Sequence, residues 1–267
     1  MVSTLPNKLL RMQQLLKEMD SVLVAFSGGI DSSLVLKIAH DSLGPRAIAV
    51  TAVSPTFPDL ELETARRVGQ EIGVRHLIIE TDQLTMPDFV RNDASRCYHC
   101  KTDLYQALQK LQLELSIGAM VDGTNLDDLS DDRPGIVAAR EWRVRSPLVE
   151  AELSKAEVRT LAKELGLSNW DKPAAACLSS RIPRGTIITR EKLTRVEQAE
   201  ALLFREGFRQ FRVRDHGEIA RIEVAEDELS RWLDPARRTR VSDRLKALGF
   251  PFVTLDLEGY RRGGGNT

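Results

Sequence analysis

Val22-Leu23-Val24-Ala25-Phe26-Ser27-Gly28-Gly29-Ile30-Asp31-Ser32-Ser33-Leu34-Val35-Leu36-Lys37-Ile38 is the stretch that decides the fold. A short apolar run reads as a buried strand, two glycines break it, and a serine-rich turn opens an apolar helix. Adjacent glycines let backbone approach an anion without a Cβ in the way. The unpaired N–H groups and the positive end of the helix dipole then face that anion. Ser27, Ser32 and Ser33 add hydroxyl donors. The loop has no lysine, so it is not the GxxxxGK[ST] pattern.

Outward from this loop, strand and helix signals alternate. Arg46–Val53 and Val74–Ile79 read as strands, Asp59–Ile72 as an amphipathic helix between them, Lys101–Leu113 as a further helix and Ala119–Asp122 as a short buried strand. Such alternation predicts an α/β fold, a parallel sheet with helices on both faces. Ligands of such sheets bind beyond the C-terminal strand ends. Ser27, Ser54 and Asp122, with Gly123 next to it, stand at such ends. Ser154 and Glu157 have capping-box spacing before a helix that Gly166 closes. After Thr189 the order changes to α-β-β-α-β: a helix over 190–206, strands at 208–214 and 219–224, a helical segment over 230–248 and a strand at 252–257. The expected organisation is a nucleotide-binding domain over 1–170, a connecting loop over 171–189, a small α+β substrate domain over 190–258 and a flexible tail over 259–267.

The 267 residues carry 38 Lys and Arg against 39 Asp and Glu, for a formal net charge of −1. That near balance argues against a nucleic-acid partner. No apolar stretch reaches the roughly 18 residues of a membrane span. The first twenty residues, with Leu9, Leu10, Leu15 and Leu16 among charges, read as an amphipathic helix and not as a signal peptide. A cytoplasmic location without membrane contact is expected. Three cysteines in a reducing compartment argue against a disulfide framework.

The cysteines need another use. Cys97-Tyr98-His99-Cys100 is a C-x₂-C, and Cys177 is the third. The pair alone suits buried thiols, half a zinc site or a redox couple. Three thiolates without a fourth partner suit a [4Fe–4S] cluster with one open iron. After the fourth strand, Asp127, Asp128, Asp131 and Asp132 form an acidic run. Mg²⁺ commonly uses one or two carboxylates plus phosphate oxygens, so one or two of these aspartates, Asp128 among them, are candidate ligands, and Asp31 is another or orients a phosphate; spacing does not choose among them. In the second half, Arg212 and Arg214 alternate onto one strand face, as a phosphate clamp would require. Arg221 and Glu223 lie in the next strand, and Ser180-Arg181 follow Cys177.

Ser27-Gly28-Gly29-Ile30-Asp31-Ser32 resembles the PP-loop of ATP pyrophosphatases, written SGGxDS, which implies ATP cleavage between the α and β phosphates. Ser27, Gly28, Gly29, Asp31, Ser32, Ser54 and Gly123 are then the ATP-binding set. Further stretches extend the likeness along nearly the whole chain: Asp132-Arg133-Pro134-Gly135, Ala162-Lys163-Glu164-Leu165-Gly166-Leu167, Ser179-Ser180-Arg181, Arg212-Val213-Arg214, Ile219-Ala220-Arg221-Ile222-Glu223 and Val253-Thr254-Leu255-Asp256-Leu257. Together they resemble LarE-type sulfurtransferases, which act in nickel-pincer cofactor biosynthesis for lactate racemase.

The resemblance implies that ATP adenylates a carboxylate of pyridinium-3,5-biscarboxylic acid mononucleotide. A sulfur nucleophile, sulfide or another donor, then displaces AMP. Ser180, Arg181, Arg212 and Arg214 would hold the mononucleotide, and Asp31, Cys177 and Glu223 would act in catalysis. Some members sacrifice one cysteine near the Ser-Ser-Arg motif, at the position of Ala176 here. Cys97, Cys100 and Cys177 match a three-cysteine branch instead, which implies a [4Fe–4S] cluster that passes on external sulfide. The sacrificial route through Cys177 is the alternative. A homo-oligomer is expected, as self-assembly is common in such enzymes. Rival readings are tRNA thiolation, an amide-forming ligase of the NAD or GMP synthetase type, and a nucleotide-sensing module without catalysis.

Overall fold

The computed structural model describes residues 4–130, 134–173 and 175–261. Asp131, Asp132 and Arg133 of the acidic run, and the tail from residue 262, lie outside the described residues. The chain divides into two compact units. The first takes the described residues of Met1–Ser54, Asp59–Gln83 and Ser95–Ala175. The second takes Pro55–Pro58, Leu84–Ala94 and those of Ala176–Thr267. No helix among the described residues is long and apolar enough to cross a membrane.

In the first unit, strands β1 (Val22–Ala25), β2 (Ala47–Val53), β3 (Arg75–Glu80) and β4 (Ala119–Val121) form one parallel sheet in the order β3-β2-β1-β4. Alternation sends Val22 and Val24 to one face, where they pack with Leu34, Ile38, Met12 and Leu16. Leu23, Ile48 and Val50 go to the other, against Tyr105, Leu108 and Met120. Both faces are covered, so the strands read as continuous apolar runs. The order reverses at β1, with β2 on one side and β4 on the other. The loops after β1 and β4 therefore face each other at a switch point.

β1, β2 and β3 are tied together through Thr51 and His76. Thr51 Oγ1 donates to the Phe26 carbonyl at 2.7 Å, so His76 Nε2, 2.8 Å from Thr51 Oγ1, is the donor in that contact. Burial, helped by Arg66, holds His76 below its ordinary pKa. The imidazole is thus kept neutral under the loop that begins at Phe26.

The second unit has helix Arg190–Arg205 and a sheet of β5 (Phe211–His216), β6 (Ile219–Val224) and β7 (Phe252–Leu255), ordered β5-β6-β7. β5 and β6 form an antiparallel hairpin, and β7 joins β6 in parallel. Gly217, at φ +73°, makes the hairpin turn. Val213, Ile222 and Val224 bury one face with Leu202, Leu203, Val241 and Leu245. The other face carries Arg212, Arg214, His216, Arg221 and Glu223.

Three boundaries differ from the sequence expectation by three residues or more. β5 starts at Phe211 because Phe208 stacks on Trp232 at 5.0 Å and the Glu228 carboxylate caps the N–H groups of Arg209 and Gln210. The expected 230–248 helix is a 3₁₀ segment, Glu226–Leu233, followed by helix Pro235–Ala247. Asp234 caps that helix through the Ala236 N–H, and Pro235 occupies its first position. The helix expected from Lys101 begins at Arg96 and takes the C-x₂-C into its first turns.

Candidate functional site

The glycine loop bridges β1 and helix Ile30–Leu43. Gly28 has φ +71°, and a Cβ there would stand 2.8 Å from the Ala65 backbone nitrogen. Both its conformation and its space demand glycine. Ser33 Oγ and Ser32 Oγ donate back to the Gly29 carbonyl at 2.9 and 3.1 Å. Ser27 Oγ lies 3.3 Å from Ser32 Oγ and accepts from the Gly29 N–H at 3.4 Å. The buried Asn169 amide donates to the Gly28 carbonyl and to Ser33 Oγ, each at 2.9 Å. The Gly29 carbonyl takes the Ser33 N–H at 2.9 Å, and the N–H groups before it at the helix start keep no partner within the helix.

Gly123 follows β4 and comes to the same place. A Cβ on it would lie 2.6 Å from Ser32 N and 3.0 Å from the Asp31 carbonyl carbon. Asp122 before it is buried and accepts from Tyr105 Oη (3.1 Å), Thr124 N (3.1 Å), Thr124 Oγ1 (2.9 Å) and Ser146 Oγ (2.7 Å). Burial pushes the Tyr105 phenol up to about 12, so it stays a donor. Ser54 directly follows β2 and is half-buried.

Asp31, in the first turn of the same helix, accepts from Asn125 Nδ2 at 3.1 Å and from Lys155 Nζ. Lys155 opens helix Lys155–Glu164, whose capping box is formed by Ser154 and Glu157. Its backbone N–H is bound by Asp127 Oδ2. Asp128 Oδ2 accepts from the Asn125 N–H at 3.2 Å. The described part of the acidic run thus positions Asn125 and Lys155 on Asp31. That leaves an ammonium, a carboxylate and a helix N-terminus on one lip, a setting for a polyphosphate.

Cys97 and Cys100 are one helical turn apart, with Cys97 exposed and Cys100 half-buried, and no cysteine is in a disulfide. His99 Nε2 lies 3.2 Å from Ser95 Oγ, and Tyr98 Oη donates to Glu141 Oε2 at 2.6 Å. Cys177 belongs to the second unit. Its Sγ lies 2.9 Å from Ser179 Oγ. Among the described residues, no three His, Cys, Asp or Glu side chains gather as a metal site.

In the second unit, Cys177 precedes a 3₁₀ turn, Leu178–Arg181. Arg181 is buried and pairs through Nε and Nη2 with both oxygens of Glu200, at 2.9 and 2.8 Å. Its Nη1 donates to the carbonyls of Ala176 and Cys177 and to Ser180 Oγ. Glu200 also accepts from the Val213 N–H at 3.1 Å. Arg214 is bidentate on Glu223, 3.0 Å at each oxygen, and its Nη1 donates to the Ser180 carbonyl at 2.8 Å. Arg212 donates to the Phe211 carbonyl and lies over the Tyr260 ring, 5.1 Å from its centroid. A pocket is lined by Ser180, Arg181, Arg214, His216 and Arg221, among others.

Asn125, Asn169 and Lys155 in the first unit, and Glu200 and His216 in the second, are not among the residues expected from sequence. The capping box pointed to the helix of Lys155 but not to its aim. Buried Asn92 was likewise unsignalled; its amide holds the carbonyls of Ile182, Pro183 and Thr186.

The asparagine synthase family profile matches residues 12–103. An uncharacterized protein of Synechocystis sp. is 46% identical over 97% of each chain. The pyridinium-3,5-bisthiocarboxylic acid mononucleotide synthase of Lactiplantibacillus plantarum is 40% identical, over 98% of this chain and 95% of its own. The tRNA-specific 2-thiouridylase of Halothermothrix orenii is 27% identical, over 58% of this chain and 54% of its own.

Proposed function

The chain belongs to the family of LarE-type PP-loop sulfurtransferases, and from that premise we propose that it converts the carboxylates of pyridinium-3,5-biscarboxylic acid mononucleotide to thiocarboxylates using ATP. The observation that carries this reading is the 40% identity over 98% of the chain, joined to a polyphosphate lip in the first unit and an arginine-lined pocket in the second.

In the proposed reaction a substrate carboxylate oxygen attacks the α-phosphorus of ATP, and pyrophosphate leaves. The product is an acyl adenylate. A sulfur nucleophile adds to the acyl carbon and the C–O bond to AMP breaks, leaving the thiocarboxylate. Adenylation replaces a poor oxide leaving group with AMP. Ser27, Gly28, Gly29 and Ser32 hold the phosphates, flanked by Ser54 and Gly123. Lys155 offsets the charge that grows on departing pyrophosphate, and Asp31 holds Lys155 in place. Mg²⁺ would accompany ATP on phosphate oxygens, with Asp31 and Asp128 as carboxylate ligands. We assign ATP to residues 1–170 and the mononucleotide to 190–258, with 171–189 connecting them. Ser180, Arg181, Arg212, Arg214 and Glu223 form the substrate side.

Cys97, Cys100 and Cys177 are three thiols outside any disulfide, and soft thiolate donors suit an iron–sulfur cluster. We propose them as candidate ligands of a [4Fe–4S] cluster on residue type alone, since among the described residues no three His, Cys, Asp or Glu side chains gather. When bound, the group would supply an open iron for carrying sulfide.

The test is anaerobic incubation of the full chain with ATP, the mononucleotide and sulfide, with product and protein read by mass spectrometry. Expected are pyrophosphate, AMP and a substrate gaining sulfur for oxygen. Absence of pyrophosphate and of thiolated product overturns the reading. The cluster has its own readout: anaerobically purified protein is expected to be brown and to hold about four irons per chain. Colourless, iron-free protein that loses the mass of about one H₂S per turnover would assign the sulfur to Cys177 instead.

A further inference from the structure

Thr51 is a hydroxyl in an apolar place. It is fully buried, on the sheet face where Val24, Phe26, Ala49, Ala65 and Val68 pack. A buried hydroxyl costs free energy unless it is hydrogen-bonded, so packing alone would favour valine there. Thr51 has two partners. Its Oγ1 donates to the Phe26 carbonyl at 2.7 Å and accepts from His76 Nε2 at 2.8 Å. The hydroxyl hydrogen is spent on the carbonyl, which assigns the ring proton to Nε2. The Phe26 ring meets the imidazole edge-on, with centroids 5.4 Å apart. Burial, then the Arg66 charge, keeps that imidazole neutral.

The Phe26–Ser27 peptide leads into the glycine loop, and both of its sides are held. Its carbonyl takes the Thr51 hydroxyl, and the Ser27 N–H donates to Ser32 Oγ at 3.3 Å. One helix, Asp59–Ile72, seats the loop and the ring together. A Cβ on Gly28 would stand 2.8 Å from the Ala65 nitrogen, and one on Gly69 would stand 3.1 Å from His76 Nδ1. Ala65 and Gly69 are four residues apart and share a helix face. Gly69 lies inside the helix, where glycine is a poor former. The ring that it admits accounts for its place.

We propose that His76 is a positioning residue for ATP: through Thr51 it fixes the plane of the Phe26–Ser27 peptide, and with it the direction in which Ser27, Gly28 and Gly29 present their donors to the phosphates. The inference rests on the ATP reading above and adds the residue beneath the loop that sets its geometry. The role is indirect. His76 orients a hydroxyl that otherwise rotates freely, and donors fixed in advance bind an anion without the cost of ordering them.

Calorimetry on the full chain, with ATP as the probe and the pyridinium mononucleotide as the control, tests the relay. His76→Phe keeps a ring and removes the donor, and Thr51→Val cuts the same chain at its other end. Each is expected to raise the ATP Kd about tenfold, as for loss of one hydrogen bond, and to leave the mononucleotide Kd unchanged. The double variant should also lose about tenfold and not a hundredfold, because both changes break one connection. His76→Gln, which restores an N–H donor near the place of Nε2, and Thr51→Ser should bind ATP nearly as wild type does. An unchanged ATP Kd in His76→Phe, no recovery in His76→Gln, or a hundredfold loss in the double variant overturns the proposal. Should His76→Phe fail to fold, Thr51→Val against Thr51→Ser decides by the same criteria. If wild type binds no ATP, the ATP reading fails, and amide hydrogen exchange over residues 26–33 decides on His76. Exchange that is faster in His76→Phe and restored in His76→Gln then supports the positioning role, and exchange equal in all three proteins overturns it.

Discussion

Lys155→Met is expected to slow ATP-dependent pyrophosphate release by about a hundredfold, the cost of removing one fixed donor from developing charge. The ammonium sits on Asp31 at the first turn of the loop helix, where the dipole already favours anions. Its charge is preorganised: Asp127 binds the Lys155 backbone N–H, and the Ser154–Glu157 box fixes the start of its helix. Asp31→Asn should give a loss of similar order. The amide can still meet Asn125 but no longer holds the ammonium by charge. Stability should barely change in either variant. The pair is about a quarter exposed, at 23% and 24%, and such pairs contribute about 1 kcal/mol or less. Single-turnover pyrophosphate release at saturating ATP is the measurement, with thermal melting as the control. Wild-type release in Lys155→Met would remove the ammonium from the chemistry. Wild-type release in Asp31→Asn alone would leave Lys155 active but Asp31 dispensable.

The contrast between Asp31 and Lys155 shows what a sequence makes legible. Asp31 lies inside a local signal: strand, glycine turn, helix start, all within a dozen residues. Local periodicity and turn chemistry carry that information, so the parallel sheet and the loop were readable together. Lys155 reaches Asp31 across 124 positions of chain. Its own neighbourhood signals only a capped helix. Asn169 stands 141 positions from Gly28 and is equally silent. Gly123 is an intermediate case. Its place after a short apolar strand suggested the cleft, but only the 2.6 Å approach to Ser32 N explains why it must be glycine. In the second unit, alternation put Arg212, Arg214, Arg221 and Glu223 on one face. It could not tell which guanidinium is matched by which carboxylate, because that depends on rotamers and on the turn at Ser180. Phe208 misled the strand boundary for a related reason. Its apolar side chain suits a strand, yet the Glu228 carboxylate takes the N–H groups that would have extended the ladder.

Glu200→Ala is expected to destabilise the second unit by about 3–5 kcal/mol, the usual cost of leaving a buried charge without its partner. Glu200 answers three donors: Arg181 Nε, Arg181 Nη2 and the Val213 N–H. Arg181 is 3% exposed, so its guanidinium cannot turn to water without opening the turn it binds. Removal of the carboxylate therefore strands the charge and orphans a strand N–H at once. Glu200→Gln should cost less, because the amide oxygen still accepts a hydrogen bond while the charge is lost. Two units need not unfold together. The measurement is accordingly a denaturant titration that follows Trp232, which packs in the second unit's core, beside far-ultraviolet dichroism of the whole chain. The Trp232 transition should move to lower denaturant in Glu200→Ala, with a smaller shift in Glu200→Gln. Arg181 also holds the carbonyls of Ala176 and Cys177, so the turn around Cys177 should become more accessible, read as faster thiol alkylation in Glu200→Ala. A Trp232 midpoint within about 0.5 kcal/mol of wild type would mean that Arg181 finds water or another acceptor. The buried pair would then not be what holds the cysteine turn in shape.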